Sequence, residues 1–264
     1  MNYFVSAEDS YYHNWQLELL IESFKLLGLE DNLYISVAKS DKEYFKNNKN
    51  LLTHAKKYIH KNIGRESGVL KLNKWGSLYT LVEKNIINLP ITVLDPDVVI
   101  YKDIKIQDEQ LIFSFDPSFT YNKKYSRFIK IPKDEMDKWP NLGEVFVFND
   151  LSLNFFKDVA IFCQIVGLDP NRYQTDKLAL LGALWKHKVN RILPSIDIEG
   201  NLTESQLKNI ISYRHGVNPA FNKKLYKNNN MNFSMASDNP IRLLSKMDYT
   251  PSLEYVSNIA KRLL

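Results

Sequence analysis

The sequence predicts an α/β fold: a mixed, mostly parallel sheet flanked by helices, in a single domain. Three observations predict it. A strand, a helix and a second strand follow one another within the first 38 residues, a βαβ unit that implies parallel pairing through a right-handed crossover. Strand and helix patterns keep alternating to about residue 100, and the second half is more irregular. No internal repeat and no long linker divides the 264 residues.

The elements follow in order. "NYFVSA" at 2–7 reads as a short buried strand. In residues 10–29, Trp15, Leu19, Leu20, Phe24 and Leu27 recur at helical spacing, with Ser10 as N-cap and Gly28 as stop. "LYISVA" at 33–38 is the second strand. "DKEYFKNNKN" reads as a short surface helix, "HAKKYIH" as a third strand and "NIGRESG" as a loop. A helix over 75–86 leads into "ITVL". "QLIFSF" at 110–115 and "GEVFVFN" at 143–149 are further strands, and 153–168 and 175–188 are helices. The domain is expected over 1–226. A C-terminal extension, 227–264, ends in a helix with Leu253, Val256, Ile259 and Leu263 on one face, closing the domain.

Composition narrows the class. Hydrophobic content of 44% and aromatic content of 12% build a sizeable core, which excludes a disordered chain. The net charge of +5 suits anionic ligands, among them nucleotides, phosphates and nucleic acid, and selects none. Cys163 is the only cysteine, so neither an intrachain disulfide nor a thiolate metal site forms, and a reducing compartment fits. The N-terminal residues lack a basic n-region and no apolar run reaches membrane-spanning length. The expectation is a cytoplasmic protein without a transmembrane segment, including one of viral origin acting in a host cytoplasm.

The informative stretch is "ITVLDPDVVIY", where a strand-forming run is interrupted by Asp95-Pro96-Asp97. Parallel sheets bind ligands at the carboxyl ends of their strands, and both aspartates stand at such an end. Pro96 has a fixed φ and no N–H, which suits a break in strand pairing. Carboxylates held this way are hard oxygen ligands for Mg²⁺ or Mn²⁺. Such an ion would bridge a nucleotide diphosphate and act as Lewis acid. Thr175 reads as an N-cap, with Asp176 at the positive end of the following helix.

The run "LNKWGSLYTLVEKNIINLPITVLDPDVVI" resembles the centre of a GT-A nucleotide-sugar glycosyltransferase, where a helix precedes an apolar strand ending in an Asp-X-Asp metal motif. It is most similar to the hydroxyproline O-arabinosyltransferase and peptidyl-serine galactosyltransferase group. Asn73-Lys74-Trp75 stands where that group has Asn-Lys-Pro. "YRHGVNPAFNKKLY" supplies its C-terminal His-Gly element as His215-Gly216, followed by Phe221-Asn222-Lys223 and Tyr226, with Asn222 in place of aspartate.

The resemblance implies a GT-A-like fold and a metal-dependent transferase that moves a sugar from a nucleoside-diphosphate sugar, a UDP-sugar, to a hydroxyl acceptor. It implies metal ligation by Asp95, Asp97 and His215. It places the nucleotide sugar against Ser6, Ala7, Glu8, Asn73, Lys74, Asp95, Asn149 and Gly216, with Gly143 and Asn149 at the ends of a pocket floor. Lys223 would neutralise the departing diphosphate, and Asp176 would face the sugar or the reacting centre. His13, His54, His60 and His187 read as surface or packing residues.

Other readings stay open. A nucleotidyltransferase would want a glycine-rich loop after the first strand, and "SAEDSYYHN" has no glycine. A non-enzymatic nucleic-acid-binding domain would use interleaved Lys and Tyr, although basic residues occur along the whole chain. A glycosyltransferase whose acceptor is a modified base of viral DNA is a third reading, beside sugar and protein acceptors.

Overall fold

A computed structural model describes residues 1–104, 111–115, 129–132, 134, 142–168, 175–189, 192–196, 210–212, 240–246 and 251–264. The strands are β1 (Asn2–Glu8), β2 (Leu33–Ala38), β3 (Lys57–His60), β4 (Ile91–Leu94), β5 (Val98–Ile100), β6 (Leu111–Phe115), β7 (Leu142–Phe148), β8 (Ile192–Ile196) and β9 (Ile210–Ser212). The helices are α1 (Tyr11–Leu26), α2 (Lys49–Thr53), α3 (Ile63–Ser67), α4 (Leu72–Glu83), α5 (Leu153–Gly167), α6 (Thr175–Lys186), α7 (Pro240–Leu244) and α8 (Pro251–Arg262).

Seven strands form one sheet in the order β3-β2-β1-β4-β7-β6-β8. β3, β2, β1 and β4 pair in parallel, β7 is antiparallel to both β4 and β6, and β8 is parallel to β6. This is the mixed, mostly parallel sheet expected. β1 lies inside it and is covered on both faces, with Phe4 buried on one and Tyr3, Val5 and Ala7 on the other.

Alternate residues of β1 feed two cores. Phe4 packs with Trp75, Phe146, Phe148, Phe155 and Phe156 under α4 and α5. Tyr3, Val5 and Ala7 pack with Leu17, Leu20, Ile21 and Phe24 of α1 on the other face. Ser10 caps α1 by accepting from the His13 backbone N–H, and Gly28 follows the helix at a φ of 65°. Cys163 is a fully buried core thiol, and burial pushes its pKa up to about 12.

Local predictions shifted in three places. The "NIGRESG" stretch contains α3, whose first turn is capped by the Asn62 side chain accepting from Arg65 N–H. The stretch read as one surface helix is a 3-10 turn at Tyr44–Asn47 followed by α2. α4 starts at Leu72, three residues before the expected 75, which brings Asn73 and Lys74 onto the helix.

β5 leaves the main sheet and pairs with β9 in a separate two-stranded sheet. α7 and α8 cover this corner, where Ile241, Leu244, Val256, Ile259 and Ala260 pack against Trp15 and Leu19 of α1 and Val99 of β5. Three polar contacts among the described residues fasten α8: Tyr255 Oη donates to Ile100 O at 2.9 Å, Ser257 Oγ donates to Ser245 O at 2.9 Å, and Arg262 Nε meets Glu22 Oε1 at 2.8 Å. No described helix is long and apolar enough to cross a membrane.

Candidate functional site at the carboxyl edge of the sheet

β1, β2, β3 and β4 point the same way, so their carboxyl ends share one edge. The register pairs Val5 with Leu94, which sets Asp95 level with the last residues of β1. The chain then turns at Pro96 and leaves the sheet as β5. Asp95 is partly exposed, whereas Asp97 is buried at 3% exposure. Both aspartates were placed at the mouth of the sheet, a position that would leave Asp97 near solvent. The structure instead encloses it where the β5–β9 pair turns away from the sheet.

α4 presents its first turns to the same edge. Lys74 Nζ lies 2.6 Å from Asp95 Oδ1, and the ammonium also stands over the rings of Trp75 (5.5 Å) and Phe146 (5.9 Å). Aromatic faces and a carboxylate together make this apolar position tolerable for a cation. Asn73 is buried and its amide is engaged on both sides. Its Oδ1 accepts from Gly64 N–H at 2.8 Å, and its Nδ2 donates to Asn62 Oδ1 at 2.7 Å and to Glu8 Oε1 at 3.3 Å. Gly64 is required by this packing, because a Cβ there would lie 2.7 Å from Asn73 Nδ2 and 2.8 Å from Leu70 O.

α6 brings Asp176 from a third direction. Its carboxylate is 7% exposed as a residue, meets Lys71 Nζ at 3.3 Å, and accepts from the Lys177 N–H at 3.1 Å. Burial pushes its pKa up, but the Lys71 and Lys74 ammoniums pull it further down, and the carboxyl ends below its ordinary value. Asp176 is therefore ionised at neutral pH. Asp95 opposes this from the same site, so Asp95, Asp176 and the two lysines are electrostatically coupled.

His13 closes the β1 end. Its Nδ1 accepts from Glu8 N–H at 3.3 Å and lies 3.0 Å from Ser10 Oγ. Enclosure of the ring pushes its pKa down to about 4; Lys71 adds to that shift and the charge of Asp95 opposes it. His13 is neutral at physiological pH.

The structure thus brings Ser6, Ala7, Glu8, Asn73, Lys74, Asp95, Asp97 and Asp176 to one edge. It does not bring Asn149 there. β7 runs antiparallel to β4, with Phe146 opposite Val93 and Phe148 opposite Ile91. The start of β7, near Gly143, therefore faces the Asp95 edge, and Asn149 follows the strand at the opposite edge. Asn149 falls level with Pro90, five residues before Asp95, so about 16 Å of strand separates them at ~3.3 Å per residue. His215, Gly216 and Lys223 lie outside the described residues.

Lys71, His13, Asn62 and Gly64 were not anticipated. Lys71 stands three residues before Lys74, a helical spacing that becomes visible only once α4 is started early enough.

The donor set suits a hard divalent ion in kind: Asp95 and Asp97 supply carboxylate oxygens two residues apart. Mg²⁺ commonly keeps several waters and binds through one or two carboxylates. Among the described residues no group of three or more His, Cys, Asp or Glu side chains is arranged to hold a metal ion. β9 ends at Ser212, opposite Val98, the residue after Asp97.

No family profile and no curated protein matches the chain. Among solved structures it is similar to galactosyltransferase LgtC in complex with donor and acceptor sugar analogs. That match has 13% identity and a TM-score of 0.49 and covers 99% of this chain and 96% of that one. An active-site mutant of LgtC matches at 11% identity and a TM-score of 0.47, over 99% and 96% of the two chains. The WbbM bifunctional glycosyltransferase matches at 11% identity and a TM-score of 0.42, over 73% of this chain and 38% of that one.

Proposed function

We propose that this chain is a metal-dependent glycosyltransferase that moves a sugar from a nucleoside-diphosphate sugar, a UDP-sugar, to a hydroxyl acceptor. One observation carries the reading. Two carboxylates and two ammoniums, from the turn after β4, from α4 with the residue before it, and from α6, converge at the carboxyl edge of a parallel sheet, with Asp97 two residues beyond Asp95. A diphosphate ester needs such a mixture: carboxylates for a cation and for sugar hydroxyls, ammoniums for phosphate charge.

Asp95 and Asp97 would hold Mn²⁺ or Mg²⁺, with His215 as third ligand. The end of β9 beside Val98 supports that assignment, since His215 follows Ser212 by three residues in sequence. When bound, the ion would offset charge on the diphosphate. Lys74 holds Asp95 in one orientation. Glu8, fixed by Asn73, would accept from a ribose hydroxyl. Asp176, kept ionised by Lys71 and Lys74, would accept hydrogen bonds from the transferred sugar. Lys223 would meet the leaving diphosphate as its charge grows.

The test is thermal stabilisation by UDP with Mn²⁺, followed by a screen of UDP-sugars for release of UDP. A ligand bound only by the folded chain, at a hundred times its Kd, adds about 2.7 kcal/mol. No stabilisation by any nucleotide in the presence of Mn²⁺ rejects the reading.

A further inference from the structure

The positive charge of the chain is concentrated in one segment. Residues 39–72 hold nine Lys and Arg against three Asp and Glu, while the whole chain is only +5. The remainder is therefore slightly acidic. This segment runs from the end of β2, through the edge strand β3 and α3, to the start of α4, so its charge collects at one flank of the sheet.

Four of these cations form an exposed rim at the carboxyl ends of β2 and β3: Lys39, Lys42, Lys61 and Arg65. β2 and β3 end side by side, with Ala38 opposite His60. Lys39 N–H donates to His60 O at 3.0 Å, and Asn62 Nδ2 donates to Lys39 O at 3.4 Å. Among the described residues none of the four cations is ion-paired to a carboxylate. Elsewhere Lys74, Lys71, Lys186 and Arg262 all are. The rim is joined to the candidate site through Asn62, which accepts from Asn73 next to Lys74. On the edge strand, the half-buried rings of Tyr58, which also packs against the core, and His60 stack at 5.9 Å between centroids, and each residue keeps part of its surface exposed. Paired rings among exposed cations are the combination that holds a strand by its phosphates and by the flat faces of its bases.

We propose that the acceptor is carried on a nucleic-acid strand bound along this rim, which leads it to the Asp95–Asp97 edge. The acceptor role rests on the glycosyl-transfer reading above, whereas strand binding is measurable without any donor. Acidic residues on a polypeptide would also be attracted to the cations, but they offer no flat faces to Tyr58 and His60.

The experiment is fluorescence anisotropy of a labelled 16-nucleotide single strand with the full chain, from 50 to 200 mM salt. Four phosphate contacts on a single strand predict a loss of affinity of about fifty-fold over that range. The double variant Lys61→Glu/Arg65→Glu should bind at least about ten-fold more weakly at 50 mM salt, since it removes two of the four contacts and adds repulsion. Lys84→Glu/Lys157→Glu, exposed cations away from the rim, should bind nearly as the parent does. UDP-induced stabilisation should be the same in the parent and the rim variant. Absent or salt-independent binding overturns the proposal, and so does equal affinity of the rim variant. Displacement of the strand by polyglutamate as readily as by unlabelled oligonucleotide assigns the rim to an acidic polypeptide instead and also overturns it. A parent that binds the strand but is not stabilised by UDP overturns the acceptor role.

Discussion

Lys74 and Asp95 meet at 2.6 Å with side chains only 7% and 14% exposed, an ion pair removed from water at the mouth of the sheet. Breaking a buried pair by removing one partner strands the other charge, and costs about 3 kcal/mol or more. Asp95 keeps some water, so the expected loss for Lys74→Met is about 2–3 kcal/mol. Asp95→Asn in the same background should restore most of it. Urea denaturation of the two single variants and the double variant checks this. Additive losses would show that the two charges are not coupled.

Asp97 is tested best by a change that preserves shape. Asp97→Asn keeps the volume of a buried side chain and removes its charge. Stabilisation by UDP that depends on Mn²⁺ should disappear, and sugar transfer should fall by at least about a hundred-fold, equivalent to ~2.7 kcal/mol at the transition state. Melting curves with Mn²⁺ and with EDTA read the first effect. A variant that still gains stability from Mn²⁺ with UDP removes Asp97 from the metal assignment.

Gly64 carries a steric prediction. A Cβ would come within 2.8 Å of Leu70 O and 2.9 Å of Leu70 Cα, backbone atoms that cannot swing aside, besides 2.7 Å from Asn73 Nδ2. Gly64→Ala should lose about 1–3 kcal/mol, the usual cost of overpacking. Displacement of Asn73 should also loosen Glu8 and weaken UDP binding. Because one of the clashes is with Asn73 itself, Asn73→Ala should cost less in the Gly64→Ala background than alone. Chemical denaturation of the cycle measures that coupling.

His13 carries the acid limb of stability. Its folded pKa lies near 4, below the ordinary value of 6.5. Between those values the unfolded chain binds a proton that the folded chain does not, so stability rises with pH across this window and falls as pH drops from 6.5 toward 4. Above 6.5 the group contributes no slope. In His13→Gln the amide retains an acceptor for Glu8 N–H without the titration, so the curve of unfolding free energy between pH 6.5 and 4 should be shallower. Denaturation at four or five pH values across the window compares the two. Curves of equal slope reject the role.

The parallel half of the fold was legible because its elements are amphipathic or doubly buried and follow one another closely. Ser10 as a cap and Asp95 at a strand end could be read from local chemistry alone. The start of α4 could not. Asn73 and Lys74 are polar side chains on a buried face, made tolerable by Asn62, Gly64, Glu8 and Asp95, none of them within the same helix. α3 is five residues with a glycine inside, below the length at which periodicity is visible. β8 contains Pro194, which reads against a central strand, yet β8 sits at the sheet edge, where a missing N–H is harmless. Asn149 was misplaced because an alternating pattern gives the faces of a strand but not its direction. The antiparallel run of β7 decides which end meets the site.

The corner where α8 covers α1 has a consequence for synthesis. Glu22 and Arg262 are separated by 240 positions. At roughly 5–20 residues per second, α1 therefore waits on the order of 10–50 seconds on the ribosome before α8 exists. During that interval Trp15 and Leu19 lack the cover of α7 and α8, and β5 lacks its partner β9 until residue 212 is made. A chain stalled or cleaved before residue 251 presents those apolar side chains to chaperones and proteases. Ribosome processivity thus acts on how much of this protein reaches its native state.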